Sequence, residues 1–237
     1  GDDIGLMSDM IRYSDPSQSM QLMQGMMEYD PANAAMMMME VSREGFDVFS
    51  HISNASNVTG NMAYKGSDAN FEDVRASIVD GMMQNQSKDS VDTMAMVMAV
   101  SDSSMNSYLI NEITNFSGND PDNNLSMNVL ASFTANASEK MTSLYQQDPT
   151  MIDMLTNSAF ENATEGDLGM MSTMMQNSTG GNTAMLMQSM VEYNPEMVAT
   201  VYDDLTSQDF DIFNHIETGR KEERILAREN QADATMF

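Results

Sequence analysis

The stretch LMQGMMEYDPANAAMMMMEVSREGFDVFSHI, residues 22–52, recurs later in the chain as LMQSMVEYNPEMVATVYDDLTSQDFDIFNHI, residues 186–216. The two align without a gap, 164 positions apart. Leu22, Met23, Gln24, Met26, Glu28, Tyr29, Pro31, Ala35, Phe46, Asp47, Phe49, His51 and Ile52 are all identical to their counterparts. Agreement of this extent implies internal duplication. A third copy, MAMVMAVSDSSMNSYLINEI (94–113), follows the first at an offset of 72, and MTSLYQQDPTMIDMLTNSAF (141–160) suggests a fourth. The copies lie near 20–54, 92–116, 139–162 and 184–218.

Each copy reads as helix, Asp-Pro turn, helix, then a short further helix. Asp or Asn as an N-cap, followed by Pro at the first helical position, is a start signal. It occurs at Asp15-Pro16, Asp30-Pro31, Asp120-Pro121, Asp148-Pro149 and Asn194-Pro195. Between these points apolar residues recur at helical spacing, as in Met20, Met23, Met26 and Met27, or Phe71, Val74, Ile78 and Met82. Strand-like alternation is scarce. Short helices that cannot bury a face alone must stack on neighbours. The fold class expected is therefore all-α: a short-helix repeat array, α-solenoid-like or an irregular bundle, with internal duplication. It occupies residues 1–218, and a charged C-terminal helix or tail occupies 219–237. Loops are expected at 53–69, 117–124 and 177–182. Met26, Met98, Met190, Phe46, Phe49, Phe210 and Phe213 are expected in the core.

The segments EYDPANAAMMMM, QQDPTMIDML and EYNPEMVATVY resemble the short-helix superhelical cytosolic domain of magnesium transporters, and faintly the helices of flagellar switch proteins. The resemblance implies architecture and no activity.

The four consecutive methionines, Met36 to Met39, pose a choice between a soft-metal site and packing. In the last copy they become Thr200, Val201, Tyr202 and Asp203, and in the middle copy Tyr108, Leu109, Ile110 and Asn111. Copper(I) needs thioether sulfur, which Val, Leu and Ile cannot supply. The positions read as core flanked by surface. Methionine is adaptable and fills irregular gaps, which fits 30 methionines in this chain. Met170, Met171, Met174 and Met175, on one helical face, and Met94, Met96 and Met98 form the remaining copper(I) candidates. His51 and His215 sit at equivalent repeat positions. They read as structural parts of the unit, with a shared metal as the rival reading.

The chain has 237 residues and a net charge of −26, from 36 acids against ten bases. Such a surface repels phosphate backbones and anionic lipid, so nucleic-acid binding is excluded and only diffuse divalent-cation binding is expected. There is no Cys, hence no disulfide, thiolate nucleophile or zinc site of Cys type. No phosphate loop, nucleophile elbow or zinc-protease helix is present. DPDNN (120–124) has the alternation of a calcium loop but carries Leu125 and Ala131 where Gly and Glu are needed, so it reads as a helix start. No apolar run approaches the ~20 residues that span a bilayer. The chain opens at Gly1 with no signal-like region, so either a leader has been removed or the sequence is part of something longer.

Scarce Lys, absent Cys and frequent sequons (Asn54, Asn57, Asn85, Asn115, Asn124, Asn136, Asn162, Asn177) point to an extracytoplasmic setting, with a halophile cytoplasm as the alternative. Arg220, Lys221, Arg224 and Arg228 gather in the tail, as a contact for the acidic surface of a neighbouring copy or as a solvated helix. The function expected is a non-enzymatic scaffold, filament or sheath subunit without cofactor, self-associating or bound to other surface proteins. A periplasmic copper(I)-binding or storage protein and an acidic, divalent-cation-responsive regulatory domain stand as alternatives.

Overall fold

The computed structural model describes residues 2–58, 71–119 and 123–221, and every regular element among them is helical. The chain divides into two compact units, Gly1–Phe116 and Ser117–Phe237. The first holds α1 (Asp2–Tyr13), α2 (Pro16–Tyr29), α3 (Pro31–Arg43), α4 (Val48–Val58), α5 (Phe71–Asn85) and α6 (Lys88–Val100), with α7 (Ser103–Asn119) crossing the division. The second holds α8 (Leu125–Gln147), α9 (Pro149–Glu161), a 3-10 turn (Glu165–Asp167), α10 (Leu168–Asn177), α11 (Gly180–Tyr193), α12 (Pro195–Ser207) and a closing helix, α13, at 212–221.

The helices start where the sequence says they should. Asp15 accepts from the amides of Ser17 and Gln18, and Asp30 accepts from that of Asn33, with Pro at the first helical turn in both. Asp148 and Asn194 open α9 and α12 ahead of Pro149 and Pro195, in nearly the same backbone geometry as Asp30. Each of these three residues also returns its own N–H to the preceding helix, so one residue ends a helix and begins the next. Asp120-Pro121 lies outside the described residues. The helix after it starts at Leu125, where Asn124 accepts from the amide of Met127.

The duplication holds in register as well as in sequence. Adding 164 to the bounds of α2 and α3 gives those of α11 and α12, and the start of α4 maps onto the start of α13. Ser19 Oγ donates to the Ile11 carbonyl at 2.9 Å, and its counterpart Thr183 Oγ1 donates to Met175 at 3.0 Å. The Arg12–Glu44 ion pair between α1 and α3 becomes the Gln176–Gln208 amide pair between α10 and α12. After α3 the chain turns through Gly45 at φ 78, while Asp209 holds that position after α12 at φ 57. In both, the next N–H (Phe46 or Phe210) reaches back to the carbonyl of Val41 or Leu205, closing a Schellman-type end that favours glycine.

Each unit is assembled from two helical triplets in one pattern. In the first unit α5 and α6 of the second triplet lie on α2 and α3 of the first, and α4 packs between α2 and α5. In the second unit α10 and α11 lie likewise on α8 and α9. Ala137 (φ −148, ψ 39) breaks α8, and the piece after the break leads through Asp148 into Asp-Pro-led α9. The Ser138 carbonyl and hydroxyl beside the break both accept from the amide of Asn182 on α11, and Asn182 Oδ1 takes the hydroxyl proton of Thr142.

Several expectations need correction. Residues 53–58 belong to α4 and 117–119 to α7, leaving 59–70 and 120–122 outside the described residues. The expected loop 177–182 is a two-residue joint, Ser178-Thr179. Gly180 stands inside α11 because a Cβ there would meet the His215 carbonyl at 2.5 Å and Gly219 Cα at 2.8 Å. Met98, Met190 and Phe49 are buried as expected; Met26, Phe46 and Phe210 are half-buried, and Phe213 is exposed.

Candidate functional surfaces

The repeated Phe-Asp-x-Phe-x-His segment builds a corner. Asp47 caps α4 through the amide of Ser50, and Asp211 caps α13 through that of Asn214. One turn on, His51 lies against the ring of Phe46 with centroids 5.2 Å apart, and His215 against Phe210 at 5.1 Å. His51 Nε2 stands 3.1 Å from Ser19 Oγ, and His215 Nε2 donates to the Ser178 carbonyl at 3.0 Å. Each imidazole thus ties its helix to the beginning of the helix two earlier in the chain. Burial, then the charge of Asp102, raises the pKa of Asp47 against the pull of the capped amides. Because its folded value exceeds the unfolded one, this group's contribution to stability is complete below the ordinary carboxylate range and is lost as pH rises through the folded value.

The methionine candidates part company. Met171, Met174 and Met175 are buried in the second unit, and only Met170 reaches partly to the surface. Met37 and Met38 are likewise core, with Met36 and Met39 at its edge. The side chains in question fill space between helices. Among the described residues no group of three His, Asp or Glu side chains could hold a metal ion. No helix there is long and apolar enough to cross a membrane. Arg220 and Lys221 are exposed on α13, with Lys221 Nζ 2.7 Å from Glu217; Arg224 and Arg228 lie outside the described residues. Of the sequons, Asn124 is buried, its amide donating to the Ala159 carbonyl and its oxygen capping α8.

What the surface offers instead is apolar. On α1, Leu6 is 63% and Met10 46% exposed, with Tyr13 beside them at helical spacing. In the second unit Val191 on α11 is 56%, Tyr202 on α12 40% and Phe213 on α13 66% exposed. The rings of Tyr202 and Phe213 touch, centroids 5.8 Å apart. Sequence reasoning placed Phe213 in the core because its counterpart Phe49 has the pattern of a core residue. The signal that could have separated them is the neighbouring change from Met38 to Tyr202, a side chain with a polar tip. Compared with protein-family models, curated proteins and solved structures, the chain matches none.

Proposed function

We propose that this chain is a non-enzymatic interaction protein, a subunit of an extracytoplasmic scaffold, filament or sheath built from methionine-rich helical repeats. The observation that carries the reading is the pair of apolar faces around Met10 and Phe213, held open on a molecule of net charge −26. Monomeric proteins rarely expose clustered large apolar side chains, and such clusters mark contact sites. The methionine content supports it too, because unbranched thioether side chains repack against more than one partner. Light scattering on size-exclusion fractions of residues 1–237, across a range of protein and calcium concentrations, tests the subunit reading. Concentration-dependent assembly is expected; a monomer under every condition would sink it.

A further inference from the structure

The two exposed faces are the two halves of an interface the protein already makes inside itself. Within the first unit, α5 docks on α2 and α4, and α6 docks on α3. On the receiving side this buries Met27, Met38 and Phe49. Their counterparts 164 residues on are Val191, Tyr202 and Phe213, the exposed trio of the second unit. On the docking side, α5 contributes Ile78 and Met82, both buried. Their counterparts 72 residues earlier are Leu6 and Met10, the exposed pair on α1. The same position on α10 is Met174, again buried where α10 lies on α8. So methionine stands at this position in three first helices; it is covered in two and open in α1.

We infer that α1 of one copy adds to the α11–α12–α13 face of a second copy, repeating between molecules the stacking of α5 and α6 on α2, α3 and α4. The inference rests on the reading of the chain as an assembly subunit and names its contact. Side-chain sizes are compatible at the tightest point. Inside the first unit Gly81 leaves no room for a Cβ, which would come 2.2 Å from Met27 Cε. Across copies the corresponding pair is Asp9 and Val191, larger on one side and shorter on the other. The half-burial of Met26 fits as well: its counterpart Met98 on α6 is fully covered, and Met26 lies on the α2 face that would be covered next. A heterologous contact of this kind propagates from copy to copy, as an open filament unless its rotation closes a ring. Asp9 on one face and Glu192 and Asp203 on the other are exposed acids, so screening by salt favours the contact.

Sedimentation velocity on the full chain, with Met10→Glu and Phe213→Glu variants, tests it. Both positions are exposed, so the fold should survive, as circular dichroism would verify. The wild type is expected to form species larger than a dimer at raised salt. Each variant alone should be monomeric. Their equimolar mixture should stop at a dimer, because each still carries the face the other lacks. A wild type that assembles together with variants that assemble equally well would overturn the head-to-tail contact while leaving the subunit reading in place. Either variant forming dimers alone would show a face pairing with itself, and would also overturn it. A chain cut after Lys221 is the last arm. It should still associate; association that appears only on removal of 222–237 would make that segment the occupant of the Phe213 face. A monomeric wild type would remove both the contact and the subunit reading.

Discussion

Phe49 and Phe213 are the same residue in the same repeat position, and one is buried while the other is exposed. Phe49 sits on α4, against which α5 packs, whereas Phe213 on α13 is exposed among the described residues. Phe49→Ala is expected to cost roughly 3–5 kcal/mol, the transfer loss plus a cavity that α2, α4 and α5 cannot collapse. Phe213→Ala should change the stability of the monomer by less than about 1 kcal/mol, since the ring is largely in water already. Urea denaturation at low protein concentration measures both. Equal losses would mean that Phe213 is packed in solution, and the open face on α12 and α13 would not exist. The contrast shows how far a single residue's identity can be trusted: it reports the repeat position it occupies, while burial depends on what the chain places next to it.

Asn182 shows the same dependence between helices. The break at Ala137 lies beside Ser138, and Asn182 on α11 donates to the Ser138 carbonyl and hydroxyl while accepting from the Thr142 hydroxyl. Asn182→Leu keeps the volume and removes the amide's bonds, leaving Ser138 Oγ with the Thr179 N–H and Thr142 Oγ1 with the Ser138 carbonyl. Leaving a buried polar group unsatisfied costs about 1–3 kcal/mol, so for these part-buried groups a loss of about 1 kcal/mol is expected in equilibrium unfolding. A loss under about 0.5 kcal/mol would show that water replaces the amide. Nothing in the sequence marks this joint, because Ser138 and Asn182 are ordinary in a chain full of Ser and Asn, and their pairing exists only once α8 and α11 cross. The Asp-Pro starts were legible because an N-cap and a proline act locally, within one turn. The Met37–Met38 core was legible because repeat copies compare the same position in different side chains. Gly180 was misread as a loop residue. Glycine pairs usually punctuate, and the cause here is the close approach of Gly219 on α13. The apolar faces stayed hidden because their helices have the patterning of interior helices.

Charge decides when those faces can meet. Residues 219–237 contain Arg220, Lys221, Arg224 and Arg228, but also Glu222, Glu223, Glu229 and Asp233, so the segment is neutral and the full −26 resides in residues 1–218. Lys221 already pairs with Glu217 on its own helix. Two copies approaching through apolar faces therefore meet as strongly like-charged bodies, and the tail offers local contacts only. At low ionic strength that repulsion reaches tens of ångströms; at physiological salt the Debye length is about 8 Å. Association is expected to strengthen as salt rises, and to strengthen at lower concentrations of calcium or magnesium than of sodium, since divalent ions gather more strongly around dense carboxylates. A cut meant to test the tail belongs after Lys221, because removing Gly219 would disturb its contact with Gly180. The chain ending at Lys221 should keep the sign of the salt dependence, since the body's charge is the cause. Sedimentation of both chains across sodium and calcium series is the measurement. Assembly that weakens with salt in the intact chain, and not in the shortened one, would reverse the assignment and make basic tail on acidic body the main attraction.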